Sequence, residues 1–352
     1  RACEEAGLAL SRPRAIVVAA GGASACAGES LAAICGTATH IQVTTVRGYR
    51  LPGWIGAADL VIGVSASGAG TEARALSQEA VRRGCDFAGV GPARSPLADI
   101  AAQARGVYVP VDAAGSGRSS LWALLVPLVF IASRLGVSPI ADGEYEAVAE
   151  VLEEVSRQCR PTSESFVNPA KSLALDISGT VPLIWGSSPL AGVVARRFAS
   201  LLAQNAKYPA VAGGFPGVAH DQVSILDGPF APVPAPAFPS AEKLASPSAE
   251  DMGFGRADDA RGAPELRLVL IADAEGEHSV HTRMREAAAT VAEERGIPVS
   301  SLSLEGEGPL RRLASVTQLL DYASAYLGLA SGLDPLASAA RGDLRNLAQQ
   351  AE

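Results

Sequence analysis

The chain has 352 residues, of which 48% are hydrophobic and 19% charged, enough apolar material for two ordinary cores and too much for a wholly disordered chain. Lys and Arg number 29 against 37 Asp and Glu, and the resulting net charge of −8 argues against a nucleic-acid scaffold. Only Lys171, Lys207 and Lys243 are lysines; the remaining basic residues are Arg, which with the abundant Ala reads as a GC-rich coding bias.

In chain order, short β-rich runs alternate with helical patterns, the signature of a parallel α/β sheet. Strands are predicted at Ala15–Ala20, Ile41–Val46, Leu60–Val64, Phe87–Val90 and Val107–Val111, with helices near Glu29–Ile34, Thr71–Arg83 and Leu97–Ala104. Gly84 stands where a helix C-cap glycine belongs. Helices over Arg118–Arg134 and Glu144–Arg157 follow, the latter with Val148, Val151, Leu152 and Val155 on one stripe. The apolar run Leu121–Ala132 is too short for a membrane span and holds Pro127, so a buried helix is expected.

The polar stretch Cys159–Val167, with Pro161, suits a linker between a domain at 1–158 and a second at 159–352. The pattern then restarts with a helix Pro169–Ile177, a strand Val181–Trp185, a turn Gly186–Pro189, a helix Leu190–Gln204 and a strand near Pro209–Ala212. A strand Leu266–Ile271, a helix His281–Arg295, a strand Pro298–Leu304 and helices Leu310–Leu329 and Leu336–Gln349 complete it. Residues 228–262, holding Pro229, Pro232, Pro234, Pro236, Pro239 and Pro247 without periodicity, read as a surface insertion rather than a partner-binding motif.

The five cysteines are scattered with no CxxC pair, so neither a disulfide framework nor a zinc site is implied, and Cys26 and Cys35 read as small buried hydrophobes. No signal peptide is visible and the expected compartment is the cytoplasm, although a start at Arg1 rather than Met leaves room for a preceding segment. His40, His278 and His281 have no partner pattern, and no helix-turn-helix or basic stripe is evident.

The strongest local signal is Ser65-Ala-Ser67-Gly68-Ala-Gly70-Thr71-Glu72, directly after a buried strand and at the start of a helix. Three hydroxyls, two glycines and the amides of a helix start can together hold a phosphate dianion, where a simple capped helix would need one hydroxyl. The other glycine loop, Gly21-Gly22-Ala-Ser24, lacks the GxGxxG pattern and has no acidic residue closing the next strand, so dinucleotide binding loses ground. With no Gly-Lys-Ser/Thr it is not a P-loop either, and a loop whose amides approach a sugar hydroxyl is left.

These residues resemble the SIS (sugar isomerase) fold and, within it, the bifunctional phosphoglucose/phosphomannose isomerases. The 65–72 loop looks like that family's Ser-x-Ser-Gly-x-Thr-Glu phosphate loop with one extra residue before Thr71. The second half follows the family's order more closely, through Asn168-Pro-Ala-Lys171, Pro182-Leu-Ile-Trp-Gly186-Ser, Ala195-Arg-Arg197-Phe, Gln204-Asn-Ala-Lys207, Phe215-Pro-Gly-Val-Ala-His220-Asp-Gln222 and Gly332-Leu-Asp-Pro335. The resemblance implies two three-layer αβα domains with parallel, flavodoxin-like sheets. It implies reversible isomerisation of glucose or mannose 6-phosphate to fructose 6-phosphate, with no cofactor and no metal. It also implies a homodimer with His220 near the interface.

By the same resemblance Ser65, Ser67 and Thr71 anchor the phosphate, and Gly21, Gly22 and Ser24 meet the sugar. Arg118 would stabilise the enediolate, His220 would open the ring, and Arg345 stands at the family's C-terminal lysine. The departure is Gln204, where the family has a glutamate as proton-shuttling base. An amide has no usable basicity near neutral pH, and Glu72, Asp221 or His220 are the conceivable substitutes. A catalytically impaired sugar-phosphate-binding or regulatory protein is therefore the alternative function.

Overall fold

Two short apolar strands, Ala15–Ala20 (β1) and Leu60–Val64 (β3), are buried along their whole length, as strands covered by helices on both faces must be. The computed structural model describes residues 12–36, 39–113, 117–138, 140–141, 143–232 and 265–350, with the side chains of 345, 349 and 350 outside that description. Most of the Pro-rich stretch 228–262 and the first 11 residues thus fall outside the described residues. The chain divides into two compact units: residues 1–154 with 306–314, and residues 155–305 with 315–352.

In the first unit, β1, Gln42–Val46 (β2), β3, Asp86–Gly91 (β4) and Val107–Pro110 (β5) form a parallel sheet in the order β2-β1-β3-β4-β5. The connecting helices are Ala25–Cys35 (α1), Thr71–Arg82 (α2), Pro96–Gln103 (α3) and Leu121–Arg134 (α4). Val17, Ala19, Val61 and Phe87 face Leu76 and Ala80 of α2 and Leu97 and Ile100 of α3. Strand alternation turns Ile16, Val18 and Ile62 to the other face, on which α1 packs against α4. Each such Leu, Ile or Val contributes roughly 1.5–3 kcal/mol when fully buried. Pro127 sits inside α4 among buried Leu124, Leu125 and Leu128, and no helix among the described residues is long and apolar enough to cross a membrane.

In the second unit, Thr180–Gly186 (β6), Val211–Gly214 (β7), Glu265–Ala272 (β8) and Val299–Ser303 (β9) form a parallel sheet in the order β7-β6-β8-β9. Helix Glu144–Cys159 (α5) runs through the division at Glu154. Then come Pro169–Ile177 (α6), Pro189–Leu201 (α7), Ser279–Glu294 (α8), Gly308–Ala330 (α9) and Ala339–Gln350 (α10). Leu183, Trp185, Leu268 and Leu270 pack against Ala288 and Ala292 of α8, while α7 lies on β6 and β7. Asn168 and Ser188 each cap a helix that has Pro at its first turn, an arrangement in which the proline lacks an N–H the helix could not have paired.

Several boundaries differ from the sequence reading, α1 starting at Ala25 and α10 at Ala339 among them, and two of the differences bear on predicted site residues. Helix α4 starts at Leu121, and Arg118 sits before it in a separate tight turn, Gly117–Ser119. Helix α7 stops at Leu201 and widens into a π-turn over Leu202–Ala206, closed by Lys207 in left-handed conformation (φ 55°). The polar stretch after Cys159 is held down: Asn168 donates to Arg160 O (3.1 Å) and Lys171 Nζ to Pro161 O (2.9 Å) and Ser163 O (2.8 Å). Cys35, Cys85 and Cys159 are buried, Cys26 only partly, and burial pushes the Cys35 thiol up to about 11.

Candidate functional site

In the first unit the connection leaves β1 for β2 on one side and crosses to β3 on the other, so the loops after β1 and β3 diverge and open a crevice at the carboxyl ends of those strands. Into it go Gly21–Ser24 after β1 and Ser65–Gly70 after β3. The two are tied together by the Ala66 N–H, which donates to Ser24 Oγ at 3.2 Å. The turn Gly117–Ser119 closes over them: a Cβ on Gly117 would lie 3.6 Å from Ala66 Cβ and 3.9 Å from Ala23 Cβ. Arg118 is 9% exposed there.

The phosphate-loop candidate is shaped by its backbone. Gly68 takes φ +66°, and a Cβ on it would stand 2.2 Å from Ser95 Cβ, so a side chain fits neither the conformation nor the space. Ser95 is itself held by Tyr108 Oη (3.1 Å) and by Pro92 O (3.0 Å). The hydroxyls are loosely engaged. Ser65 Oγ lies 3.4 Å from Ser67 Oγ and accepts from Gly70 N–H at 3.3 Å, and Ser67 Oγ accepts from Ala69 N–H at 3.3 Å. Helix α2 starts after Gly70 with no side-chain cap, leaving its first amides and the positive end of its dipole turned to the crevice.

Thr71 Oγ1 donates to Glu72 Oε2 at 3.1 Å and meets Tyr49 Oη at 3.3 Å. The sequence pattern does not single out Tyr49; its setting after β2, the strand beside β1, is the signal that points to it. Glu72 reaches across to the β1 loop, since a Cβ on Gly21 would come within 2.8 Å of its Cδ and 2.9 Å of its Oε2. The structure thus brings Gly21, Gly22, Ser24, Ser65, Ser67, Thr71 and Arg118 to one crevice, with Glu72 among them.

Gln204, His220 and Arg345 belong to the second unit. Gln204 lies in the π-turn and donates from Nε2 to Ser200 Oγ at 2.8 Å. His220 is exposed and follows the short turn Gly217–Ala219, its N–H donating to Gly217 O at 2.8 Å. Arg345 falls on α10, with its side chain outside the described residues.

The motifs around these positions have structural roles. Lys207 Nζ donates to Gln204 O (3.1 Å) and Asn205 O (3.4 Å) and, across the chain, to Asp334 O (2.9 Å) and Pro335 O (3.3 Å). That one ammonium joins the Gln204–Lys207 and Gly332–Pro335 motifs. Buried Trp185 donates to Gln222 Oε1 at 2.8 Å, and Gln222 Nε2 donates to Ala212 O at 3.3 Å. Arg197 Nη2 donates to both Asp321 oxygens (2.7 and 2.9 Å), and burial outweighs this pairing to push the Asp321 carboxyl up to about 6.

The second unit has its own crevice, after β6 and β8, and it is filled. Ser188 Oγ donates to Asp273 Oδ2 at 2.6 Å and caps α7 by accepting from Ala191 N–H at 3.0 Å. Ser187 Oγ accepts from Asp273 N–H at 3.0 Å, and His278 caps α8 by accepting at Nδ1 from Val280 N–H at 3.2 Å. Burial would raise the Glu277 carboxyl beside them, but hydrogen bonds from Ser187, Arg285 and Thr282 hold it below its ordinary value. Among the described residues no three His, Cys, Asp or Glu side chains gather to hold a metal ion.

Residues 166–347 match the family model described as the bacterial phospho-glucose isomerase C-terminal SIS domain. The chain belongs to this family. The SIS match covers the motifs from Asn168 to Pro335, while the crevice of the first unit lies before it. A bifunctional phosphoglucose/phosphomannose isomerase of Caldicellulosiruptor bescii is 25% identical over 214 residues, 61% of this chain and 63% of that protein. The aligned region thus spans less than two thirds of that curated relative. The fold is shared with a hypothetical protein of Thermus thermophilus, at TM-score 0.67 and 15% identity over 100% of this chain and 86% of that one. It is shared too with tagatose-6-phosphate ketose/aldose isomerase of Escherichia coli, at TM-score 0.61 and 16% identity over 96% and 88% of the two chains. These solved structures and the strand pairing bear out the α/β reading with parallel sheets.

Proposed function

We propose that the protein is an aldose–ketose isomerase acting on a hexose 6-phosphate, glucose or mannose 6-phosphate in one direction and fructose 6-phosphate in the other. The observation that carries this reading is the crevice of the first unit. Its helix start has no side-chain cap, its three hydroxyls are loosely engaged, and the turn that carries Arg118 lies against the same loops at Gly117. Amides and the hydroxyls of Ser65, Ser67 and Thr71 would hold the dianionic ester. Gly21, Gly22 and Ser24 would meet the sugar, and Arg118 would carry enediolate charge as it develops. His220, exposed in its Phe-Pro-Gly-x-x-His setting, is assigned the ring-opening proton transfer, and Arg345, always charged, an electrostatic role.

Gln204 favours a second reading. Its amide hydrogen-bonds Ser200 and cannot accept a carbon-bound proton, and removal of a general base costs roughly 10²–10⁴ in rate. On that reading the protein binds sugar phosphates without turning them over. A coupled assay for fructose 6-phosphate formation from glucose and mannose 6-phosphate decides between them. Turnover that His220→Ala abolishes supports the isomerase. Tight binding with no turnover, and turnover gained in Gln204→Glu, supports the binder.

A further inference from the structure

The geometry points to Glu72 as the base that carries the proton between C2 and C1 in the first unit's crevice, an inference that rests on the isomerase reading above. Residues 20–24, 65–72 and 117–120 at this crevice contain one carboxylate, Glu72, and one cation, Arg118, their other side chains being hydroxyls, methyls and hydrogens; the segment after β2 that brings Tyr49 to Thr71 adds Arg47 and Arg50 but no carboxylate. A base for a carbon acid must come from an ionisable group, and at these loops only the carboxylate can accept a proton.

Its placement suits the task. Glu72 belongs to the first turn of α2, and its carboxylate lies between the Thr71 hydroxyl and the backbone of the β1 loop at Gly21. A hexose 6-phosphate carries its ester and its reacting C1–C2 pair at opposite ends of the carbon chain. Of the three hydroxyls assigned to the ester, Thr71 is the one beside the carboxylate, which leaves Ser65 and Ser67 for the ester end and Glu72 for the reacting end. Gly21 makes the placement possible: any side chain there would stand 2.8 Å from the Glu72 carboxyl carbon. Thr71 Oγ1 fixes one carboxylate oxygen by donating to Oε2 at 3.1 Å, while Oε1 makes no hydrogen bond among the described residues. The carboxylate is half-buried, partly desolvated but with access to a ligand.

The step balances within the substrate. In the open-chain aldose, Glu72 takes the proton from C2, and the C–H electron pair forms the C1=C2 double bond. The C1 carbonyl pair moves onto O1, whose negative charge Arg118 offsets. The O2–H proton transfers to O1, the O2 pair forms the C2 carbonyl, and the double-bond pair takes the proton back from Glu72 at C1. Nothing is oxidised or reduced overall, and the carboxylate ends as it began.

The test is proton exchange with solvent, followed by NMR of glucose 6-phosphate and fructose 6-phosphate in D2O with parent, Glu72→Gln and Glu72→Asp proteins. Protection by inorganic phosphate against thermal unfolding is read in parallel. Expected are deuterium incorporation by the parent, a fall of at least about 10²-fold in Glu72→Gln and partial recovery in Glu72→Asp, with phosphate protection kept in all three. Exchange in Glu72→Gln within about threefold of the parent overturns the assignment. So does a parent that is protected by phosphate but exchanges no proton. A parent that phosphate does not protect overturns instead the reading of the crevice as an ester site, and the role of Glu72 with it.

Discussion

The two crevices share a topology and differ in what fills them. Each lies where a parallel sheet changes direction, after β1 and β3 in one unit and after β6 and β8 in the other. After β3 the chain supplies hydroxyls and glycines and leaves the helix start without a side-chain cap. After β8 it supplies Asp273, whose carboxylate takes the Ser188 hydroxyl, and both helix starts there are capped by side chains. A helix start beside a switch point attracts an anion. The second unit provides one from its own sequence and thereby gains stability. In the first, Glu72 takes only the Thr71 hydroxyl, and Ser65 and Ser67 meet no carboxylate, which keeps a place there for a ligand's anion.

If that contrast is right, substitutions should separate stability from binding. The largest effect is expected from Asp273→Ala, which strips the acceptor from Ser188 Oγ and leaves buried polar groups to be rehydrated or unpaired. A loss of about 2–4 kcal/mol in chemical denaturation is expected, with phosphate protection per mole of ligand unchanged. An unaltered denaturation curve would show that the second crevice is not sealed by this carboxylate.

The mirror experiment in the first unit is Ser65→Ala with Thr71→Val. Here the hydroxyls make only long contacts with their own chain, so stability should fall by less than about 1 kcal/mol. Affinity for glucose 6-phosphate, measured by titration calorimetry, should fall about 10–100-fold, the equivalent of losing one or two hydrogen bonds to a charged group. Unchanged affinity would move the ester site elsewhere.

Much of this was legible in the sequence, and the limits are physical. The strands β1, β3 and β8 announce themselves because both faces are covered, so their apolar runs are continuous. The Ser65–Thr71 loop was legible because hydroxyls and glycines between a buried strand and a helix have few other uses. The position of Arg118 in a separate turn was not, since Ser119 and Ser120 suit either a helix interior or its cap. Nor was the π-turn at Gln204, which depends on Lys207 reaching the carbonyls of Asp334 and Pro335, more than 120 residues away. The engagement of Ser187 and Ser188 with Asp273 is equally remote: 85 residues separate Ser188 from its acceptor, and local pattern cannot show it. Glu72 could be named as a substitute base from the sequence. That Gly21 makes room for its carboxylate required the packing of two loops.

The smallest effect concerns pH, and it tests whether the second crevice is neutralised from within. Glu277 there has its folded-state carboxyl below the ordinary 4.5, because hydrogen bonds from Ser187, Arg285 and Thr282 outweigh the burial that opposes them. A depressed acid contributes stability that is complete above its unfolded value and is lost as pH falls through the folded one. The parent should therefore lose stability on acidification below about pH 4.5, and Glu277→Gln, which carries no proton to gain, should lose less over the same range. The difference is read as diverging denaturation midpoints between pH 5 and pH 3. Parallel curves would mean that the Ser187 and Arg285 bonds do not favour the ionised form. The second crevice would then owe its closure to Asp273 alone.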